Sequence, residues 1–320
     1  MKIIKFSLLA IACTFSFMLV GTIQEATAAS NGSITISPFL KEIRFTANEP
    51  TKEFSVSLTN NTKITQEFSL NALDFGSLNE TGGIVFAGSN SNSLINKYGL
   101  ANWLTLGTQS ITIEPGKTAT IPVAIINDVS MKPGGHYAAI VASVRTPETS
   151  SSNVIGVNQK LSSLIFATKM GGEKYDLTLK DIDVSGGIFK LPSQVKLRFY
   201  NPGNVHIVPR GIVKIISPNG TVVSQGVINE ESSYVLPETT RQLTVEMNDI
   251  GSVGLWPALY RVQVDYRYEG FETFARKEKT VYFMNLVSLV LILLVIGGGL
   301  YYALKVHHKT AKKSSKKAEY

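Results

Sequence analysis

Two stretches decide the reading: Phe54-Ser-Val-Ser-Leu-Thr-Asn60 and Val195-Lys-Leu-Arg-Phe-Tyr-Asn201. In each, three apolar residues occupy every second position and the run closes on an asparagine. Period-two alternation puts one face of a strand in a core and the other in water. Asparagine at the end of such a run is a turn residue. The surroundings repeat as well. Ile34 and Ile36 lie 26 and 24 residues before Asn60, and Tyr175 and Leu177 lie at the same distances before Asn201. Downstream, Pro115-Gly116 and Pro237-Glu238 each open a further strand. Tyr137 follows Pro115 by 22 residues, and Tyr260 follows Pro237 by 23. Each half thus carries strand, Asn turn, strands, Pro turn, strand, loop and Tyr strand, which is an internal repeat.

This repeat predicts an all-β chain of two tandem immunoglobulin-like β-sandwiches. The first is placed at 29–170 and the second at 171–284, with the boundary at Met170-Gly171-Gly172. From Asn to Pro the halves span 55 and 36 residues, so the first carries roughly nineteen extra. These are assigned to an insertion near 74–107, which is rich in Gly, Asn and Ser. Glu148 to Asn153 reads as a loop, and Val154 to Lys169 as a closing strand or pair. Tyr137 to Val144 is apolar on both faces, so it should be a central strand covered on both sides. Trp103 and Trp256 are expected to pack the cores. Tyr137 and Tyr260 are expected to pack their rings and to bond backbone through their hydroxyls.

The two ends read differently. Residues 1–28 have Lys2 and Lys5, an apolar run from Phe6 to Val20 and the small residues Ala26-Thr-Ala28, which is the pattern of a secretory signal peptide. Cys13, the one cysteine of the chain, lies inside it. At the other end, 285–304 reads as a transmembrane helix, with Leu286 to Leu304 interrupted by one polar residue, Ser288. The tail, 305–320, holds six lysines and Glu319. The positive-inside rule puts it in the cytoplasm, with the sandwiches outside a plasma membrane that the chain crosses once.

The charge follows from this layout. The whole chain is +7, with Lys+Arg 31 against Asp+Glu 24. The tail supplies most of that excess, and residues 29–304 are close to neutral, so nucleic acid is not an expected partner. The sequence offers little for catalysis. The exported region has two histidines, His136 and His206, and both flank turns. Asp181 and Asp183 share a strand face but have no calcium loop after them. The Gly-Gly pairs precede neither a helix nor a Gly-Lys-Ser/Thr and form no phosphate cradle. No catalytic residue, cofactor or metal is therefore assigned, and the chain is read as a non-enzyme. An exported hydrolase using His136 is the least favoured reading.

What remains is surface. Large apolar residues in the insertion include Phe86, Tyr98 and Trp103, which are taken as a candidate binding surface. The competing reading folds them back onto the sandwich as a short helix or hairpin. Arg267, Arg276, Lys277 and Lys279 form a basic cluster near the outer membrane face. They either meet anionic groups or decorate an edge strand, where lysine blocks unwanted pairing.

Trp103-Leu104, Ser110-Ile-Thr-Ile-Glu-Pro-Gly116, Thr120-Ile-Pro-Val123 and Pro133-Gly-Gly-His-Tyr-Ala-Ala-Ile140 resemble the N-terminal domain of bacterial WxL-interacting cell-surface proteins. Phe199-Tyr-Asn-Pro-Gly-Asn204 and the run from Val235-Leu-Pro237 to Tyr260 resemble their second domain. The resemblance implies peptidoglycan binding by the first domain and host or partner binding by the second. The expectation is a single-pass bacterial cell-surface protein, held by its C-terminal helix, whose sandwiches bind cell-wall polymer or another surface protein. The alternative is a structural accessory subunit of a membrane complex.

Overall fold

A computed structural model describes residues 33–46, 48–87, 93–145, 160–184 and 186–317. The expected signal peptide at 1–28 and the loop expected at Glu148 to Asn153 lie outside the described residues. Among the described residues the first half holds ten strands: β1 (Ile34–Ser37), β2 (Leu40–Phe45), β3 (Thr51–Asn60), β4 (Gln66–Ser77), β5 (Ile84–Phe86), β6 (Leu104–Leu106), β7 (Ser110–Ile113), β8 (Thr118–Ile126), β9 (Gly134–Val144) and β10 (Lys160–Lys169). A short helix, α1 (Ser93–Lys97), and a 3-10 turn at Ala101–Trp103 lie between β5 and β6. One sheet has the order β1-β3-β8-β6. The other runs β2-β10-β9-β4-β5, with β7 also on β4. All pairings are antiparallel except β2 on β10.

The second half holds β11 (Thr178–Asp183), β12 (Gln194–Tyr200), β13 (Arg210–Ile216), β14 (Val222–Ile228), β15 (Thr240–Glu246), β16 (Asn248–Asp249), β17 (Ala258–Tyr268) and β18 (Phe271–Phe283). Its sheets run β11-β12-β15 and β16-β14-β13-β17-β18. The chain is thus mostly β, and each half encloses its own apolar core. Val56, Leu58, Phe68, Leu70, Ile121 and Ile140 meet in the first. Leu197, Phe199, Val213, Ile215, Val262 and Val264 meet in the second. Complete burial of such a side chain contributes about 1.5–3 kcal/mol. With a single cysteine in the chain, packing and hydrogen bonds hold these cores without an intrachain disulfide.

The two Asn turns are the same device. Asn60 Nδ2 donates to the carbonyls of Ile64 and Ile113, both at 2.8 Å. Asn201 Nδ2 donates to Val205 and Val235, at 2.7 and 2.9 Å. Each acceptor pair is the fourth residue after the Asn and the residue two before the Pro. Gly116 N–H and Glu238 N–H then donate to the Asn60 and Asn201 carbonyls, each at 2.7 Å. Both donors are left-handed, with φ of 69° and 56°. Glycine takes that conformation freely, whereas a glutamate there is strained.

Strand β9 is buried on both faces, as its composition requires. Ala138, Ile140 and Ala142 face the first core. Tyr137, Ala139 and Val141 face outward, and there α1 and the second half cover them, through Leu94, Tyr98, Tyr234 and Leu236. Tyr137 therefore does not match Tyr260, whose ring lies inside the second core. Tyr260 does bond backbone, accepting Gly254 N–H at 2.7 Å. The Tyr137 hydroxyl instead meets His206 Nδ1 of the other half at 3.3 Å. Trp256 also departs from expectation. It is 66% exposed in the loop before β17, beyond the end of the sheets, so no facing strand can cover it.

Edge strand β18 closes against β11. Lys277 Nζ donates to the Leu179 carbonyl at 2.6 Å, and Lys279 Nζ to Ile182 at 2.5 Å. Arg276 bonds Asp265, and Arg267 lies over the Phe274 ring. The basic cluster thus serves this edge. After β18 the chain enters α2 (Leu286–Lys317). Among the described residues it is the one helix long and apolar enough to cross a membrane, over Leu286–His307 with mean hydropathy 2.3. Its helical conformation runs beyond the expected end at 304, through residues such as Lys and Ala that favour helix.

Candidate functional site

The insertion is fastened to β9 rather than left free. Asp74 Oδ1, on β4, accepts the N–H groups of Leu100 and Ala101 at 2.7 and 2.6 Å. Tyr137 N–H donates to the Tyr98 carbonyl at 2.7 Å. A side chain at Gly99 would collide with the Asp74 carboxylate, so glycine lets the two approach. The result sets α1 and the 3-10 turn beside the loops of the second half.

Between them opens a cleft of about 370 Å³. Lys97, Tyr98 and Trp103 come from the insertion, Lys132 and His136 from the approach to β9, and Lys174, Asn204 and Glu238 from the second half. Asn204 knits the junction. It accepts Lys174 N–H at 2.6 Å and donates to the Gly172 carbonyl at 2.9 Å, while its own carbonyl accepts Gly135 N–H at 2.8 Å. The glycines of Pro133-Gly-Gly-His136 serve that approach, since a Cβ at Gly134 would strike Asn204.

The charges divide into used and free. Glu238 pairs with Lys97 and accepts the Tyr98 hydroxyl at 3.0 Å. The Lys97 bond holds the Glu238 carboxyl below its ordinary range and the Lys97 ammonium above its own. Burial pushes the Tyr98 phenol up, with Glu238 adding to the shift. Lys132 and Lys174 are exposed and have no carboxylate partner among the described residues. Trp103 stands half-buried and edge-on to His136, with ring centres 5.4 Å apart. Two free ammonium groups beside an aromatic ring suit a ligand with an anionic group and an apolar face. A larger opening of about 470 Å³ next to Glu42 is lined by Arg210, Arg267 and Glu269. There Glu269 is held by Arg44 and Glu42 by the Tyr234 hydroxyl.

His136 is not poised as a base. Its Nδ1 lies 3.1 Å from the Gly99 carbonyl and its Nε2 2.7 Å from that of Lys132. Burial pushes it below its ordinary value, against the pull of those carbonyls. Among the described residues no three His, Cys, Asp or Glu side chains gather to hold a metal.

The three residues proposed from sequence are placed unequally. Trp103 and Tyr98 line the cleft, although Tyr98 is only 8% exposed. Phe86 is half-buried against the cluster on the outer face of β9, away from the cleft. The insertion folds back as β5, α1 and a 3-10 turn, which is the competing sequence reading. Lys132, Lys174, Asn204 and Glu238 were missed, because their loops approach one another only when the two halves meet.

The second half seals the outer face of β9 with His206. Its ring packs against Tyr137, Phe166 and Tyr234, with centres 5.0 to 5.7 Å apart. Glu42 Oε1 is 3.9 Å from Nε2 and also accepts the Tyr234 hydroxyl at 2.5 Å. Burial pushes the His206 imidazole down to about 4 and the Tyr234 phenol up to about 12, the latter with help from Glu42.

Neither a family model nor a curated protein matches the chain. Among solved structures it is similar to a chaperone–tip adhesin complex of CFA/I fimbriae, at 14% identity and a TM-score of 0.42, over 80% of this chain and 99% of that one. The class 5 fimbriae chaperone CfaA gives 13% and 0.41, over 77% and 99%. The CsuC–CsuE pre-assembly complex of Acinetobacter baumannii gives 12% and 0.37, over 80% and 100%.

Proposed function

We propose that the chain is a single-pass bacterial surface protein that binds, rather than transforms, its ligand. In this reading the halves are two tandem immunoglobulin-like sandwiches outside the membrane, α2 is the anchor and the lysine tail is cytoplasmic. The ligand is an anionic cell-wall polymer, or a surface protein presenting similar groups, held at the junction cleft. The observation that carries the reading is the meeting in one opening of Trp103 with Lys132 and Lys174, which have no carboxylate partner among the described residues. The apolar face of an aromatic ring can pack against the C–H groups of a sugar ring, and lysines supply attraction that salt weakens. The resemblance of the turn and strand motifs to WxL-interacting proteins points the same way. The burial of the His136 ring between the Gly99 and Lys132 carbonyls supports binding over catalysis.

The test is sedimentation of the full-length protein, in detergent, with isolated bacterial cell walls. Retention at low salt is expected. It should fall about fivefold or more in the double variant Lys132→Glu, Lys174→Glu, since two exposed attractions become repulsions. Trp103→Ala should weaken retention without the same change in salt dependence. No retention on walls, together with no surface protein crosslinked on intact cells, overturns the reading. Undiminished binding by the charge-reversed variant moves the ligand away from this cleft.

A further inference from the structure

The end of the second half from which α2 departs carries a group of exposed apolar side chains. Trp256 is 66% exposed, Leu259 63%, Ile250 58% and Leu255 47%. Ile188 and Phe189, on a neighbouring loop, are also exposed. Ile188 and Leu259 are tied to the last turn of chain before the helix, and the loop carrying Ile250, Leu255 and Trp256 is fastened to the neighbouring strand ends. Met284 N–H donates to the Ile188 carbonyl at 2.7 Å. Ala258 and Leu259 pair with Phe283 and Tyr282 across the β17–β18 ladder. The loop before β17 is pinned by Gly254 N–H on the Tyr260 hydroxyl, and by Ile250 and Gly251 N–H on the Val223 carbonyl at 3.0 and 2.9 Å.

Two residues, Met284 and Asn285, separate β18 from α2. The three steps from Phe283 to Leu286 reach at most about 11 Å. Asn285 caps the helix, accepting Val287 N–H on its Oδ1 at 2.9 Å and the Ser288 hydroxyl on its carbonyl at 2.5 Å. With the Met284–Ile188 bond on its other side, that cap leaves little free chain between strand and helix. The apolar span of 22 residues is about 33 Å long, against a hydrocarbon layer of about 30 Å. Little length is left over, so Leu286 lies at the start of the hydrocarbon and Met284 at the level of the headgroups. Whatever is fastened to Phe283 and Met284 must lie there too.

We infer that Ile188, Phe189, Ile250, Leu255, Trp256 and Leu259 form a collar that dips into the lipid interface, making the bilayer surface a second binding partner of the sandwich. The inference rests on the reading of α2 as a membrane anchor. Tryptophan and large aliphatic side chains are the residues that favour the interface between headgroups and acyl chains. A collar beside a capped helix on a two-residue spacer fixes how the sandwich stands on the membrane, and hence where the junction cleft is presented.

The test uses full-length protein in lipid vesicles and in nanodiscs of the same phosphatidylglycerol and phosphatidylethanolamine mixture. Flotation of the vesicles, with protease protection of the C-terminal tail, reports whether α2 spans. The chain has two tryptophans, so wild type minus Trp256→Phe gives the Trp256 signal. With lipids brominated near the headgroup end of the acyl chain, that signal should be quenched and blue-shifted, while the residual Trp103 signal is unchanged. Leu255→Glu should reduce the quenching and shift the emission to the red. Failure to float overturns the anchor and the collar together. Flotation with unquenched, red-shifted Trp256 overturns the collar alone. Flotation with blue-shifted but unquenched Trp256 also overturns it, because a protein surface then covers the patch.

Discussion

The two halves turn the chain around buried asparagines in the same way, yet set them in different surroundings. Asn60 and Asn201 are both wholly buried, and each ties the end of a strand to the residue two before a proline. At Asn60 the third bond runs to Thr62, in a loop whose Ile64 is 63% exposed. At Asn201 it runs to Gly203 N–H at 2.9 Å, in a loop pressed against the first half. A repeated local device has been placed once at a free end and once at a junction. The lesson is that spacing in the chain sets the turn, while the contacts around it set what the turn supports.

The largest expected effect is therefore asymmetric. Asn201→Ala leaves two buried carbonyls and one buried N–H without partners, at about 1–3 kcal/mol each before relaxation, so a loss of about 3–5 kcal/mol is expected. Asn60→Ala should cost about 2–3 kcal/mol, because the groups near Thr62 and Ile64 can turn to water. Urea unfolding of both variants in detergent measures the difference. Equal losses would mean that the junction adds nothing to the second turn.

The second contrast is between Tyr260, bonded within its own half, and Tyr137, bonded to His206 of the other. His206 is held neutral, at about 4, by burial among Tyr137, Phe166 and Tyr234 despite the nearby Glu42. Unfolded histidine titrates near 6.5. Above that value both states are neutral and the term is absent. As the pH falls from about 6.5 to about 4 the unfolded state takes the proton first, and stability falls by up to about 3 kcal/mol. His136, also lowered, adds to the same fall. The paired carboxylates of Glu238 and Asp265 are shifted down and lose their contribution only at lower pH. His206→Gln should remove most of the slope between pH 6.5 and 4.5, read as the urea midpoint at each pH. An unchanged slope would place the titration elsewhere.

Much of this plan was legible. Alternation in Phe54 to Asn60 and in Val195 to Asn201 named the strands, and the Pro-Gly and Pro-Glu pairs marked the turns. The double-faced burial of Tyr137 to Val144 followed from its composition. The tyrosine match did not hold, and the reason was visible in the numbers. Tyr137 follows its proline by 22 residues and Tyr260 by 23. In a strand, one residue of offset sends a side chain to the opposite face. The cleft was only partly legible. Trp103 stood out as a large aromatic, but Lys132, Lys174 and Glu238 are ordinary loop residues until the halves meet. Trp256 is expected in a core because, without an inter-sheet disulfide, packing alone must hold each sandwich. Its position past the last turn of the sheet, which depends on where β17 begins, decided otherwise.

The smallest expected effect probes the matched pair Gly116 and Glu238. Both hold a left-handed backbone, and Gly116 has open space where a Cβ would stand. Gly116→Ala should thus cost about 1 kcal/mol through the backbone alone. Glu238→Gly removes that strain but also the bonds to Lys97 and Tyr98, which pin the insertion to the second half. Glu238→Ala removes the same bonds and keeps most of the strain. The difference between the two Glu238 variants should therefore be about 1 kcal/mol in favour of glycine, and Glu238→Gly itself should lie close to wild type in urea. If glutamate is kept there for the contact, hydrogen exchange of Lys97 and Tyr98 should speed up in both variants while Asn201 stays protected. If exchange is unchanged, Asp74 and the β9 bonds hold the insertion without help, and the strained glutamate has no structural work at this junction.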